Sequence, residues 1–288
     1  VVTNVAPVHL QFFDSIDSIA RAKRELIEHL RSPAIAVLNR DDERVRRFGD
    51  SFKGRVLMFG LEEGADYRAL NVHTLERDFP SIEFDVQGGP YHESIKIPLA
   101  GRHNVENALA AIATASIFKI SPQHLRSALS QFQALGQRTE ILKLGEDLTI
   151  INDAYNSNPR AMDRMLETLA GWPGATRRIV IAGEMLELGP SSWEWHRRVG
   201  RLCAQSGAVW LLAVQGDARA FLQGAVEAGM PRDRALFFLS AEEAGQFCQS
   251  IARPGDVILV KGSRGVRLEK AIDVLRSQVT TAPKRSLA

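Results

Sequence analysis

The sequence predicts an α/β protein of two domains, a mixed-sheet domain over residues 1–140 and a Rossmann-like, doubly wound domain over 141–288. Three observations carry this. In the second half, apolar runs at 149–151, 179–182, 209–214, 236–239 and 257–260 alternate with helical patterns. Roughly 20–30 residues separate one run from the next, the size of a βαβ unit, and runs that are apolar throughout suit parallel strands buried on both faces. In the first half, helical patterns enclose segments of alternating polarity, which read as antiparallel hairpin structure.

Taken in order, 15–30 reads as a helix that starts after Ser15. Ile16, Ile19, Ala20, Lys23, Leu26, Ile27 and Leu30 then share one face by the i, i+3, i+4, i+7 rule. A strand at 34–38 runs into Asn39-Arg40-Asp41-Asp42, whose two aspartates are expected to cap the next helix, 41–52, and complement its dipole. A strand at 56–59 follows, then alternating segments at 81–86 and 93–99 joined by Gly88-Gly89-Pro90. Helices at 104–118 and 122–132 close the first half, and the junction falls within 136–145. The first strand of the second half runs out into Asn152-Asp153-Ala154-Tyr155-Asn156-Ser157-Asn158, and Pro159 opens a helix. A polar loop between a strand end and a helix N-terminus is where open α/β sheets bind ligands. The loops Gly183-Glu184-Met185-Leu186-Glu187-Leu188-Gly189 and Lys261-Gly262-Ser263-Arg264 also follow core strands and belong to the same edge, and His196 completes the set. The polar tail, 280–288, is expected to be disordered.

Composition narrows the function classes. A length of 288 residues, 45% hydrophobic and 24% charged, is ordinary for a globular chain of two domains. A formal charge of +2, without dense basic blocks beyond stretches such as Arg44 to Arg47, argues against nucleic-acid binding. Cys203 and Cys248 lie in different predicted helices without metal-ligand spacing, and are expected to be free thiols of a reducing cytoplasm. No apolar run approaches the roughly 20 residues that cross a bilayer, so membrane insertion is not expected. The chain opens on Val1-Val2-Thr3-Asn4, an apolar strand end with nothing before it, and is expected to be a fragment.

Several polar residues admit two readings. Lys23 falls within the apolar stripe of its helix: it either snorkels from the stripe edge, or is buried enough that its amine is neutral and reactive. Asn104 and Asn107 sit at what reads as the exposed first turn of a helix, where Asn104 is an N-cap, or both amides read the donor–acceptor edge of a base. Arg138, read alone, is a surface residue near the domain junction.

Asp153-x-Tyr155-Asn156-x-Asn158-Pro159 is an uncommon order. Together with Asn4-x-x-x-x-His9-Leu10, Phe13-x-Ser15, Ile19-Ala20-x-Ala22-Lys23-x-Glu25 and Gly101-x-His103-Asn104-x-x-Asn107, it resembles the Mur ligases. The resemblance covers nearly all of 1–279. It implies the second half of a mixed-sheet P-loop-type ATPase domain followed by the C-terminal ligase domain, without the N-terminal domain and the phosphate loop. Indeed no Gly-x-x-Gly-Lys-[Ser/Thr] occurs.

The implied activity is that of an ATP-dependent amide ligase of cytoplasmic peptidoglycan precursor synthesis. ATP phosphorylates the terminal carboxylate of UDP-N-acetylmuramoyl-tripeptide, and the amine of D-alanyl-D-alanine attacks the acyl phosphate; the full-length protein is expected to be a monomer. By the same resemblance, Lys23 is carbamylated and binds Mg2+ with His9, and Arg138, in Gly136-Gln137-Arg138-Thr139-Glu140, contacts the ATP phosphates. These three form the catalytic set. His103, Asn104 and Asn107 face the adenine and Asp153 the ribose, while Tyr155, Asn156, Asn158, Lys261, Ser263 and Arg264 fall to the substrates. The chain departs from the family pattern at Gln11 (usually acidic), Asp14 (usually glycine), Gln137 (an extra residue) and Glu184 (usually aspartate). A sister amide ligase, a folylpolyglutamate synthase and a non-catalytic nucleotide-binding module stand as alternatives. The fragment alone is expected to be inactive.

Overall fold

The structure, a computed structural model, describes residues 1–8, 10–75, 81–132, 136–145 and 147–281. The chain divides into two compact units, Val1–Gln133 and Ala134–Ala288. They part a few residues before the expected boundary, because the segment after 135 leads directly into a strand of the second sheet.

In the first unit, β1 (Ile35–Asn39), β2 (Arg55–Gly60), β3 (Tyr67–Leu75), β4 (Ser81–Gly88) and β5 (Tyr91–Ile97) lie side by side in chain order. β1, β2 and β3 are parallel, while β3, β4 and β5 are antiparallel, a mixed sheet. β3 was not expected from the sequence. Its register against β4 shifts between Leu70 and His73, and Asn71 sits at φ +49, so the period-2 alternation that marks a strand is broken halfway along it. The β4–β5 turn, by contrast, is legible: Gly89, at φ +54 before Pro90, supplies the positive φ that a two-residue hairpin requires.

Helices cover both faces of this sheet. Val37 of β1 packs into the cluster built with α3 (His103–Ile117), whereas Ala36 and Leu38 face α1 (Ile16–Glu28). Ser15 and Ser18 cap α1 reciprocally: each hydroxyl accepts the other's backbone N–H at 3.1 Å. The buried face of α1 is narrower than its sequence stripe. Ile19, Ala20 and Ile27 are buried, but Leu26 is 56% exposed and Leu30 lies beyond the helix end.

The helix expected over 41–52 shrinks to a single turn, α2 (Glu43–Arg46), and a 3-10 turn, Arg47–Gly49. The tighter turn carries Phe48 into the core. Only Asp42 caps α2, accepting from the N–H groups of Arg44 and Val45. Asp41 instead accepts from the N–H groups of Leu61 and Glu62 and so ties the end of β1 to the end of β2. α4 (Pro122–Ser130) begins at the N-cap Ser121 with proline in its first turn.

The second unit contains all five expected strands: β7 (Leu148–Asp153), β8 (Arg177–Gly183), β9 (Ala208–Val214), β10 (Ala235–Phe238) and β11 (Asp256–Lys261). They run parallel in the order β10-β9-β8-β11-β7. A sixth, β6 (Glu140–Leu144), adds antiparallel to β7 at the edge. Being short and half-exposed, β6 lacks the continuous apolar run of its neighbours.

α8 (Ala241–Ile251) and α9 (Glu269–Thr281) pack on one face with Ile150, Ile179, Leu212 and Ile258. α5 (Pro159–Ala170), α6 (Ser192–Gln205) and α7 (Arg219–Glu227) present Met162, Leu166, Val199, Cys203 and Phe221 as buried residues. Cys203 and Cys248 are buried free thiols, and burial pushes each up to about 12. The tail beyond Thr281 lies outside the described residues. Among the described residues no helix is long and apolar enough to cross a membrane.

Candidate functional site

The register of the second sheet sets its carboxyl edge. Lys261, the last residue of β11, pairs with Asp153 on β7 and with Ala182 on β8. The loops after these three adjacent strands therefore emerge together, and β11 fills the space where the chain turns from one side of the sheet to the other. That is the topological position at which doubly wound sheets bind ligands.

Asp153 and Lys261 organise the edge. Lys261 is 2% exposed, and its Nζ donates to Asp153 Oδ2 at 2.5 Å and to the carbonyl of Asn156 at 2.8 Å. Asp153 Oδ1 accepts from the N–H of Thr139 at 2.8 Å and, less closely, from its hydroxyl. Lys261, read from the sequence as a substrate contact, thus anchors the Tyr155–Asn156 loop from beneath. Its tertiary partner, 108 positions away in the chain, is invisible to local pattern.

Ser263 is similarly drawn inward: it is 4% exposed, its Oγ accepts from the N–H of Leu186 at 2.9 Å, and its N–H donates to the carbonyl of Glu184. Asn158 is the N-cap of α5, accepting from the N–H of Ala161 at 2.9 Å. Asn156 is exposed, with Oδ1 accepting from the N–H of Ser157.

Three of the expected residues meet at one ring. The exposed guanidinium of Arg138 lies 4.1 Å from the centroid of Tyr155, and that of Arg264 lies 5.2 Å from it. Both are cation–π distances. The Tyr155 N–H donates to the carbonyl of Gln137, so the Arg138 segment and the Tyr155 loop are joined through the backbone as well.

Sequence reasoning missed Thr139 and Glu140. Thr139 is buried, and it holds Asp153 only because Gln137 and Thr139 adopt φ of +61 and +52, conformations that non-glycine residues seldom announce. Glu140 accepts from Asn152 Nδ2 at 2.8 Å and from the N–H of Gln137.

The Glu184 loop is held from two further directions. Glu184 Oε1 accepts from the N–H of Asp217, in the 3-10 turn after β9. His196, fully buried, accepts the N–H of Met185 on Nε2 at 2.8 Å and donates from Nδ1 to the carbonyl of Ser192 at 2.7 Å. Burial lowers its pKa from the ordinary value of 6.5, which keeps the ring neutral in that tautomer.

The first unit holds the remaining candidates. Lys23 is half-buried, and its Nζ donates to the carbonyl of Asn4 at 2.7 Å, which places it against the segment that leads towards His9. His9 itself lies outside the described residues. Asn39 and Asp42 fix the same segment, donating to the carbonyl of Thr3 and accepting from the N–H of Val5.

Asn104 is buried rather than exposed, and it is not the N-cap, a position held by Arg102. Its Nδ2 donates to the carbonyl of Ala100 at 2.7 Å and its Oδ1 accepts from the exposed Asn107 at 3.3 Å. His103, half-buried, stands beside it in the first turn. Among the described residues, no three His, Cys, Asp or Glu side chains group to hold a metal.

Comparison with known proteins bears on both units. The family model for the Mur ligase middle domain matches residues 1–115, and that for the Mur ligase, glutamate ligase domain matches residues 137–264. The UDP-N-acetylmuramoyl-tripeptide–D-alanyl-D-alanine ligase of Bacillus subtilis is 28% identical over 281 residues, covering 97% of this chain and 60% of the relative. The protein of the same name from Mycobacterium tuberculosis is 32% identical over 305 residues, covering 99% and 59%. Among solved structures, MurF from Acinetobacter baumannii superposes with a TM-score of 0.84 at 28% identity, over 96% of this chain and 58% of that one. MurF ligase from Thermotoga maritima in complex with ADP, at 22% identity, shares the fold with a TM-score of 0.82 over 96% and 61%. The chain spans about three fifths of the length of the curated relatives it matches. It belongs to the Mur ligase family, whose middle-domain and glutamate-ligase-domain models it matches in turn.

Proposed function

We propose that the chain is the ATP-handling and amine-accepting part of a cytoplasmic ligase that joins D-alanyl-D-alanine to UDP-N-acetylmuramoyl-tripeptide in peptidoglycan precursor synthesis. The observation that carries this reading is the alignment of nearly the whole chain, across both units, with ligases of that name. The convergence of the β7, β8 and β11 loops at one sheet edge supports it, since it offers a rigid floor for a small substrate.

The chemistry is phosphoryl transfer followed by acyl transfer. A carboxylate oxygen of the tripeptide attacks the γ-phosphorus of ATP and ADP leaves. The free amine of the dipeptide then attacks the acyl carbon; the amide forms, the acyl C–O bond breaks, and inorganic phosphate departs with that oxygen. Such reactions depend on positioning and on neutralising the phosphate charge. Arg138, exposed and steadied by the Tyr155 ring, is suited to the second task. Lys23, beside the Asn4 segment, and His9 would hold Mg2+, the lysine as a carbamate whose two oxygens suit a hard cation. The bound ion would supply further positive charge at the phosphates. Asp153 keeps lone pairs to offer a ribose hydroxyl even while bonded to Thr139 and Lys261.

Phosphate release by the full-length protein tests the reading. It should require Mg-ATP, the nucleotide tripeptide and D-alanyl-D-alanine together. Equal release with an amino acid in place of the dipeptide would refute it. Lys23→Ala should remove most of the activity, with partial rescue by a short carboxylic acid; full activity in that variant would exclude the carbamate.

A further inference from the structure

The amino edge of the second sheet, opposite the loops described above, holds a cavity that the ligase chemistry does not use. The five parallel strands begin there. β8 opens on Arg177, Arg234 immediately precedes β10, and Arg253 stands three residues before β11. These three arginines line a cavity of about 540 Å³, a size typical of small-molecule sites. The rest of its wall is largely apolar and includes Ala208, Val209 and Met230. Val209 is 39% exposed, an apolar side chain open to solvent at a strand start.

Helix C-termini gather at this edge, and arginines near them ordinarily serve their carbonyls. Arg177 does so: it grips Asp256 with two bonds, at 2.8 and 2.6 Å, and donates to the carbonyl of Ile251 at the end of α8. Arg234 and Arg253 do not. Among the described residues neither guanidinium donates a hydrogen bond, and Arg253 meets no acid. Arg234 lies 4.3 Å from the centroid of the Trp210 ring, and its one acidic neighbour, Asp233 at 3.8 Å, is largely exposed and so holds it weakly. The helix ends do not need these two cations. Carbonyls in the last turns of α6 and α7 already accept from the N–H groups of Gly207, Gly229 and Met230.

With Asp256 offsetting Arg177, two cations border a space with an apolar wall. That combination suits a phosphate monoester: its dianion matches two positive charges, and a guanidinium fork meets two phosphate oxygens at once. A bare inorganic ion would leave the apolar wall uncovered. We propose that the cavity is a binding site for a small organic phosphate, with the phosphoryl group held by Arg234 and Arg253 and the apolar body against Val209 and Met230.

Two methionines report on the two edges of the sheet separately: Met230 lines the cavity, and Met185 lies in the loop after β8 at the opposite edge. Their methyl resonances in the full-length protein, followed while phenyl phosphate is added, test the proposal. The Met230 resonance should shift and saturate while that of Met185 stays in place, and phenol, which lacks the charge, should move neither. Arg253→Gln removes an exposed guanidinium that bonds to nothing among the described residues, so it should fold as the wild type does. It should weaken the apparent affinity about tenfold, the weight of one charge-assisted pair. Arg234→Gln should weaken it similarly, whereas Arg264→Gln, at the other edge, should leave it within about twofold. A Met230 resonance that stays still, or that moves equally with phenol or in Arg253→Gln, would overturn the proposal. Binding abolished by Arg264→Gln would overturn it too, by placing the phosphate at the opposite edge.

Discussion

His196 shows how a single buried side chain can tie the site to pH. Its Nε2 accepts the Met185 N–H, so a proton there would set two donors against each other in a dry environment. Burial lowers the folded-state pKa from 6.5, so as pH falls below about 6.5 the unfolded chain takes up a proton that the folded one refuses. Stability is therefore full above that value and declines as pH falls from it towards the folded pKa. Urea midpoints measured between neutral and mildly acidic pH should fall for the wild type and stay flatter for His196→Gln. Parallel curves would show that the ring does not titrate as described.

Asn104 and Lys261 make similar predictions from satisfied bonds. Asn104→Ala strands the carbonyl of Ala100 in a buried turn, and should cost the first unit about 1–3 kcal/mol in chemical denaturation. Lys261→Met leaves Asp153 without its cation and should destabilise the second unit by about 3–5 kcal/mol, with much of the loss restored by adding Asp153→Asn. Purely additive losses in that double variant would mean that the two side chains are not energetically coupled.

At the scale of elements, the pairing of α6 with α7 depends on two glycines. A Cβ at Gly200 would overlap the carbonyl of Phe221, and one at Gly224 would overlap the carbonyl of Arg197, so each helix accepts the other's backbone at a position without a side chain. Gly200→Ala and Gly224→Ala should each lower stability by about 1–3 kcal/mol, although alanine is the better helix former. An unchanged melting temperature would mean that the helices can slide apart at no cost.

The parallel strands of the second unit were legible because burial on both faces leaves a continuous apolar run, as in β9 and β11. β3 and β6 were not: one carries a register shift and the other is a half-exposed edge. In the site, the loops that carry the motif residues were legible, but the postures of the side chains were not. Whether Lys261 points at a substrate or at Asp153 is decided by strand register, and whether Asn104 is exposed is decided by the turn that precedes it. These are tertiary facts that local spacing does not contain.

For the whole molecule, we propose carboxylate phosphorylation as the first step and amide formation as the second. On this proposal the terminal carboxylate of the tripeptide is activated by phosphorylation before the amide forms. The direct measurement labels that carboxylate with heavy oxygen and follows a complete reaction of the full-length protein with Mg-ATP and D-alanyl-D-alanine by mass spectrometry. The account predicts one labelled oxygen in each inorganic phosphate released and the other retained in the new amide. Unlabelled phosphate, with amide formed, would contradict it.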